Sequence, residues 1–236
     1  MALPLLQATT YTLTIPSIGK EVKYRPFLVK EQKALLTAQQ SEDTRVMVDT
    51  LKAVISGCIY DKTIDVSKLS TFDLEFIFMQ LRARSVGEIA ELLFSCEHCG
   101  SKEIRVKFDI SDLRVEFPES HTKNIKLNDS IGIMMKYPDF ALLEKLENID
   151  ANDTNVVFDM ILSCVEAIYD TENVYYAQDS TVEELNQFLE NLDTAQFNLV
   201  KNFFETMPRL TQIVEYNCPK CGEHNVRNLR GISSFF

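Results

Sequence analysis

Four of the six cysteines form two C-x-x-C pairs, Cys96 with Cys99 and Cys218 with Cys221, and a glycine follows each pair. On a tight turn, such a pair presents two thiolates to one ion, and glycine allows the left-handed backbone that closes the turn. A structural zinc ion takes four tetrahedral ligands, so two pairs complete one site and leave no open position for water. We therefore predict that these four cysteines hold one structural zinc ion.

Two other uses of paired cysteines fit the sequence less well. A redox C-x-x-C precedes a helix, whose N-terminus lowers the thiol pKa, whereas both pairs here lie between predicted strands. Disulfides are not expected, because the first residues show no basic region followed by a long apolar run, as an export signal would. His98 and His224 lie beside the thiols and are predicted to be exposed turn residues. Cys58 and Cys164 fall on apolar helix stripes and are predicted to be core residues.

The elements around the first pair follow from periodicity. Alternating polar and apolar residues on either side of Gly19 predict a hairpin, and helical spacing predicts three helices after it. The third helix is apolar nearly all round, with Thr71 as its expected N-cap, which is typical of a buried helix. Two strands flank the cysteine pair. The predicted bounds are 10–16 and 20–27 for the hairpin, 29–40, 44–59 and 70–84 for the helices, and 88–95 and 103–109 for the flanking strands.

The second half of the chain repeats this order of elements. A strand, turn and strand are followed by helices and by two strands around the second cysteine pair, and the helix that opens at Thr181 has a capping-box pattern. The predicted bounds are 124–137 for the strand pair, 140–147, 154–169, 181–191 and 194–207 for the helices, and 211–217 and 225–230 for the last strands.

Local identities in the same order indicate an internal duplication. Both halves carry a Ser-Ile-Gly tripeptide, an Ile-Tyr-Asp tripeptide and C-x-x-C-G. We predict an α+β fold with two similar halves, residues 10–118 and 123–236. Each half would be a β-hairpin followed by about three helices and a C-x-x-C-bearing hairpin. The shared zinc would clamp the halves into one compact unit.

Composition narrows the classes of function. The chain has 236 residues, with 24 Lys and Arg against 35 Asp and Glu, for a formal charge of -11. An acidic chain repels nucleic acid at long range, because phosphate contacts require excess Lys and Arg. Residues 90–108 and 213–231, around the cysteine pairs, hold almost equal numbers of both charges. No apolar run is long enough for a membrane span.

The sequence also lacks a recognisable catalytic set. No phosphate-binding glycine loop, zinc-protease helix or nucleophile elbow is present, and the three histidines offer little for acid–base work. A metal-dependent hydrolase needs an open zinc position, which ligation by four thiolates denies. We therefore predict that the protein is not an enzyme and takes no small-molecule substrate.

Two further features have alternative interpretations. Arg82 and Arg84, at the end of the buried helix, anchor either an internal carboxylate or a partner. Phe235 and Phe236 either dock into the core or insert into another protein, since aromatic anchors dominate interfaces.

In the order of its motifs, the chain resembles the baseplate hub proteins of T4-like bacteriophages, meaning the hub subunit and the hub-assembly protein of contractile-tailed phages. The resemblance runs from about residue 10 to the end. It is carried by Lys23–Glu31 (KYRPFLVKE), Lys33, Leu35, Leu36, Leu69, Phe72, Asp73, Leu81–Gly87 (LRARSVG), both cysteine pairs, Ile131, Gly132, Lys136–Pro138 (KYP), Phe203, Phe204, Met207, Pro208, Phe235 and Phe236.

This resemblance implies a non-enzymatic structural or assembly protein of the tail baseplate hub, with other hub or tail proteins as partners. It implies a location in the host cytoplasm during tail assembly, and leaves open whether the protein stays in the virion baseplate. The first hairpin and helices also resemble small tail-assembly chaperones in architecture alone. The alternative from another class is a zinc-ribbon regulator that binds nucleic acid.

Overall fold

A computed structural model describes Leu6, Leu142 and residues 8–41, 43–139 and 154–230. The strands are β1 (Tyr11–Ile15), β2 (Lys20–Tyr24), β3 (Ile89–Phe94), β4 (Ile104–Asp109), β5 (Arg114–Glu116), β6 (Asn124–Lys126), β7 (Gly132–Met135), β8 (Val165–Tyr169), β9 (Val174–Tyr176), β10 (Arg209–Asn217) and β11 (His224–Arg230). The helices are α1 (Val29–Ser41), α2 (Thr44–Cys58), α3 (Thr71–Val86), α4 (Thr154–Ser163), α5 (Val182–Glu190) and α6 (Thr194–Thr206), with short 3-10 turns at Val66–Lys68 and Ala177–Asp179.

The predicted α+β class is confirmed, and the chain divides into two compact units. The first unit comprises Met1–Glu116 and Arg209–Phe236, and the second comprises Phe117–Pro208. The first unit contains both cysteine hairpins. The second unit lies, in sequence, between β5 and β10.

The described residues of the first unit form three small antiparallel sheets. Strands β1 and β2 pair as one hairpin, β3 and β4 as another, and β10 pairs with both β11 and β5. Helix α1 packs on α2, and α2 packs on α3. Because α3 also contacts β1, β5 and β10, it connects the first hairpin to the sheet that carries the second cysteine pair.

Helix α3 is buried on several faces, as its all-round apolar sequence predicts. Its N-cap is Ser70 and not Thr71, because Ser70 and Asp73 form a reciprocal capping box. The buried Asp73 side chain also accepts a hydrogen bond from the Ser17 N–H at 2.9 Å. One carboxylate therefore both caps the helix and fixes the turn between β1 and β2.

The second unit is built on a four-stranded antiparallel sheet in the order β6-β7-β8-β9. Apolar side chains from its strands and helices form a core cluster, which includes Ile133, Ile161, Val165, Val200 and Phe203. Helix α5 begins at a Thr181–Glu184 capping box, as its sequence predicts. Helix α6 begins at another, formed by Asp193 and Gln196.

One long predicted helix is wrong in its last residues. The helix expected over 154–169 ends at Ser163, and Val165–Tyr169 is instead strand β8. The Cys164 N–H still donates to the carbonyls of Met160 and Ile161, but β8 then pairs with β7 in the sheet. Strands β5 and β9 were also not predicted; each has three residues and pairs with a longer strand.

The other predicted elements are confirmed with small shifts of their bounds. The exceptions lie outside the described residues: the helix expected over 140–147, of which only Leu142 is described, and the terminal Phe235 and Phe236. The two-half organisation stays a prediction, and the compact units have other boundaries, since β10 and β11 belong to the first unit.

Candidate metal centre

The two cysteine pairs lie on hairpin turns with matching hydrogen bonds. Between β3 and β4, the Gly100 N–H donates to the Cys96 carbonyl at 3.0 Å, and the Cys96 N–H donates to the Ser101 carbonyl at 2.8 Å. The corresponding bonds between β10 and β11 run from Gly222 to Cys218 and from Cys218 to Glu223, both at 2.8 Å. The chain therefore builds the same turn twice.

The backbone conformation at the end of each turn requires glycine. Gly100 has φ 68° and Gly222 has φ 75°, in the left-handed region where a Cβ atom is unfavourable. The sequence pattern C-x-x-C-G therefore corresponds to a defined turn conformation.

All four predicted cysteines come together. Their sulfur atoms lie within 4.8 Å of one another. The Cys96 and Cys221 sulfurs are 3.7 Å apart, as are those of Cys99 and Cys218. A disulfide bond is about 2.05 Å long, so these are free thiols held close together. Cys96 and Cys218 are buried and Cys221 is exposed, so the cluster lies at the protein surface.

The two hairpins are also joined by contacts that the sequence did not predict. The buried Asn225 side chain accepts a hydrogen bond from the Glu97 N–H at 3.1 Å. The Tyr216 hydroxyl donates to the Ser95 carbonyl at 2.9 Å, and its ring stacks on Phe94 with centroids 5.2 Å apart. These contacts cross from one hairpin to the other, so no local spacing in the sequence indicates them.

Arg227 makes a further link from β11 to the first cysteine hairpin. It donates to the Ser95 carbonyl at 3.2 Å and forms an ion pair with Glu97. Together with the contacts of Asn225 and Tyr216, this link joins the two turns through direct protein contacts.

The thiols differ in acidity. The Cys99 backbone N–H stabilises the Cys96 thiolate and lowers the pKa of Cys96 to about 6. In the same way, the Cys221 N–H lowers the pKa of Cys218. The Glu223 N–H lowers the pKa of Cys221, but burial and hydrogen bonding with the other three thiols outweigh it and raise that pKa to about 12. Four thiolates this close repel one another, so a bound cation would favour ionisation of the full set.

The other cysteines and the nearby histidines are not part of the cluster. Cys58 and Cys164 are fully buried, and burial raises their pKa values to about 11 and about 12, which keeps them as inert thiols. His98 is exposed on its turn. His224 is also exposed, and its Nδ1 lies 3.1 Å from the Asn217 side chain.

The remaining histidine lies in the second unit. His121 is 3.1 Å from the Thr206 hydroxyl through Nδ1 and 3.1 Å from the Tyr137 hydroxyl through Nε2, and its ring packs on Phe203. Burial lowers the pKa of His121, as does nearby Lys123. Both ring nitrogens are therefore engaged in packing and hydrogen bonding.

The two arginines at the end of α3 have different surroundings. Arg84 forms an ion pair with Glu88 and lies over the Tyr11 ring at 5.1 Å. Arg82 lines an apolar groove, and no described residue accepts a hydrogen bond from its buried Nη1. Arg84 thus has an internal carboxylate, as one predicted alternative required, whereas Arg82 has none in the described part of the chain.

The arrangement is suited to holding a metal ion. Four thiol sulfurs, two from each hairpin turn, converge in one cluster. A donor set of this kind would bind a soft or borderline cation without an open coordination position. None of the helices that the structure describes is long and apolar enough to cross a membrane.

Comparison with known proteins identifies the family of this chain. No curated protein and no solved structure matches the chain. One family model does match, over residues 8–236, a range that includes both cysteine hairpins and the whole second unit. By this match, the chain belongs to the family described as T4 bacteriophage base plate protein, a structural family of the phage tail.

Proposed function

We propose that the protein is a non-enzymatic component or assembly factor of the baseplate hub, and that Cys96, Cys99, Cys218 and Cys221 hold a structural zinc ion in it. The observation that carries the zinc assignment is the convergence of four thiol sulfurs from two matching turns. Membership of the baseplate family carries the assignment to the phage tail.

The spacing of the sulfur atoms supports zinc. Zn–S bonds of ~2.3 Å in a tetrahedron separate the sulfurs by about 3.8 Å. Two sulfur pairs that join the hairpins, Cys96–Cys221 and Cys99–Cys218, are 3.7 Å apart, and all four sulfurs lie within 4.8 Å of one another. Backbone N–H groups lower the pKa values of Cys96 and Cys218. Little rearrangement would be needed for these residues to ligate the ion.

A zinc ion here would act as a cross-link. Cys96 and Cys221 are 125 positions apart in sequence, and Cys99 and Cys218 are 119 apart. Closing so long a loop costs chain entropy, which metal–thiolate bonds would offset. The four thiolates would leave the ion no open position for water, so its role would be structural and not catalytic.

Binding to nucleic acid is the weaker alternative, because three basic residues of the hairpins are paired with carboxylates. Arg105 and Lys107 lie 3.3 and 3.6 Å from Glu91, and Arg227 pairs with Glu97. A phosphate-binding surface requires free cationic side chains in excess. We therefore propose that the partners are other hub or tail proteins.

The zinc assignment is tested by metal analysis of the purified protein. We expect equimolar zinc in the parent and its loss in Cys99→Ser and Cys221→Ser. Cys58→Ala removes a thiol outside the cluster and should keep its zinc. A Cys99→Ser protein that retains equimolar zinc and melts like the parent would contradict the assignment.

The hub role is tested by mass spectrometry of purified tails beside the infected-cell lysate. We expect this protein in host cytoplasm during tail assembly, in complexes with hub proteins. Its presence in finished tails would assign it as a hub component, and its presence only in assembly intermediates as an assembly factor. Retention on DNA that falls with salt, without association with tail proteins, would favour the alternative.

A further inference from the structure

The first unit contains an apolar groove with a volume of about 400 Å³ between α1, α2 and α3. Leu35 and Leu36 of α1, Met47 and Leu51 of α2, and Phe78 of α3 line it. This volume lies within the range of ligand-binding pockets, and a groove between helices is a common docking site for an amphipathic segment.

Arg82 is the single charged residue among the side chains that line this groove in the described structure. Its Nη1 atom is buried and has no hydrogen-bond acceptor among the described residues. Burial is also the cause that lowers the pKa of Arg82. Arg84, two positions later, pairs with Glu88 at the surface, so the lack of a partner is specific to Arg82.

A half-buried guanidinium whose Nη1 is buried without an acceptor is energetically unfavourable, and covering the rest of it with an apolar surface alone would increase the cost. A carboxylate is the matching acceptor, because it takes two parallel hydrogen bonds from the planar guanidinium. The groove therefore favours an occupant that brings one carboxylate together with apolar groups.

The rim of the groove indicates how large this occupant is. Leu36 is 53% exposed and Val86 is 61% exposed. These side chains extend the apolar surface beyond the groove itself. A polypeptide would cover both groove and rim, whereas a single fatty-acid chain inside the groove would leave the rim in water.

We propose that this groove binds a segment of another tail protein, in which one Asp or Glu is surrounded by apolar residues. The carboxylate of that segment accepts hydrogen bonds from Arg82, and its apolar side chains cover Leu36 and Val86. The choice of a protein partner rests on the proposed role in tail assembly, but the groove contains none of the cysteine ligands.

The test uses the full-length protein and a random peptide library. Peptides are selected from the library for binding to the parent protein. We expect the selected peptides to share one acidic residue flanked by apolar residues. In fluorescence anisotropy, Arg82→Met should weaken binding of the selected peptide by about tenfold or more. Replacing the acid of the peptide by its amide should weaken binding similarly, and both changes together should add little, because they remove the same pair.

Two further variants give the controls. Arg105→Met removes the same charge from an exposed site on β4 and should leave peptide affinity unchanged. Leu36→Glu places a negative charge on the exposed rim and should abolish binding, which tests the site through a second residue. Thermal melting of each variant is measured as the control that its fold is kept.

The proposal is overturned if no peptide is selected, if the selected peptides lack an acid, or if Arg82→Met binds them like the parent. Sodium decanoate is the lipid probe. Binding of decanoate that depends on Arg82, with no selected peptide, would assign the groove to fatty acids and overturn the proposal. Peptide binding is measured without other tail proteins, so its failure is distinct from absence of the protein from tails.

Discussion

At the scale of single residues, the cysteine turns require a glycine with positive φ, and this requirement can be tested. Gly222→Ala should lower the free energy of unfolding by about 1–2 kcal/mol, because φ 75° forces a Cβ atom into the left-handed region. No atom lies within 4 Å of that Cβ position, so the cost is backbone strain alone. Urea unfolding of the purified parent and variant measures this cost.

Gly57→Ala is the matched control. Gly57 lies inside α2, its φ is not positive, and an added Cβ also meets nothing within 4 Å. We expect a gain in stability of about 0.4–1 kcal/mol, because alanine restricts the unfolded chain and favours the helix. Equal effects of the two substitutions would contradict the turn geometry.

A second residue-scale prediction concerns the buried pair of Arg25 and Glu31. Arg25 donates to Glu31 at 2.8 Å, and the Leu28 N–H donates to the other carboxylate oxygen, also at 2.8 Å. Because the Glu31 carboxylate is buried, Glu31→Gln should lower the free energy of unfolding at pH 7 by about 1–3 kcal/mol. Glu21→Gln, on the exposed side of β2, should change it by less than about 0.5 kcal/mol.

The effect of Glu31→Gln should depend on pH. Burial raises the pKa of Glu31, but hydrogen bonds from Arg25 and the Leu28 N–H lower it more, so the pKa is below its usual value. The charge therefore stabilises the fold above the unfolded pKa of ~4.3, and this contribution is lost as pH falls through the folded pKa. Urea unfolding should show the difference between parent and variant shrinking in acid; a constant difference would contradict the lowered pKa.

The sequence predicted that the four cysteines come together, but it did not predict the contacts that join the two cysteine hairpins. Two C-x-x-C-G pairs are recognisable because thiolate chemistry and turn geometry both constrain a short stretch of chain. Asn225, Tyr216 and Arg227 join one hairpin to the other. Their partners are distant in sequence, and neither their types nor their spacing distinguishes them from ordinary strand residues.

At the scale of elements, the groove makes a prediction about the stability of α3. Arg82→Met should raise the free energy of unfolding by about 1 kcal/mol, because it replaces an unpaired, partly buried charge by an apolar side chain. Arg84→Met is the matched change on the same helix and should lower stability by about 0.5 kcal/mol, since it removes the contacts with Glu88 and Tyr11.

Chemical unfolding of both variants and the parent at one pH gives the free energies of unfolding to be compared. A loss of more than about 1 kcal/mol in Arg82→Met would mean that the guanidinium already has a stabilising partner within the chain, contrary to the unpaired Nη1. A gain in stability would indicate a residue retained for binding, at a cost to the free protein.

Strand β8 shows where periodicity is insufficient. Val157, Ile161, Cys164, Val165 and Ile168 have helical spacing, and the first two are indeed on α4. Val165–Tyr169 also alternates buried and exposed residues at its start, as a strand does, and β7 offers it a hydrogen-bonding partner. Sheet pairing with a strand distant in sequence overrides local preference here, and a single sequence does not show that partner.

At the scale of the whole molecule, the predicted duplication has one parallel in backbone hydrogen bonding. The Arg25 N–H donates to the Cys58 carbonyl at 3.0 Å, and the Lys136 N–H donates to the Cys164 carbonyl at 2.7 Å. In each unit, the residue directly after a hairpin strand thus binds the carbonyl of a fully buried cysteine at the end of a helix. The duplication itself stays a prediction, supported by this shared arrangement.

Sequence identity between the halves does not always mean the same role. Gly19 closes the first turn with φ 62°, as predicted. Gly132, which occupies the matching Ser-Ile-Gly position, lies in β7, where a Cβ atom would come within 2.2 Å of the Tyr169 ring. Gly19 is needed for its positive φ, whereas Gly132 leaves space for the Tyr169 side chain. The shared motif therefore does not show which of these two roles a glycine has.

The proposed zinc site makes a prediction about the two compact units. All four cysteines belong to the first unit, and the second unit contains none of them. Chelation of the ion should therefore reduce hydrogen-exchange protection in β3, β4, β10 and β11, while the amides of β6–β8 in the second unit keep theirs. The physical reason is that the ion would add a cross-link to hairpins otherwise joined by the contacts of Asn225, Tyr216 and Arg227, so that its loss makes local opening easier.

Cys218→Ser without chelator should also reduce hydrogen-exchange protection in the cysteine hairpins and not in the second unit. Cys164→Ala alters the core of the second unit, so it should lower protection in that unit first. Low pH should act like the chelator, because protons compete with the ion for the thiolates. Equal loss of protection in both units would mean that they unfold as one cooperative body, and unchanged protection in the cysteine hairpins would mean that the ion does not stabilise them.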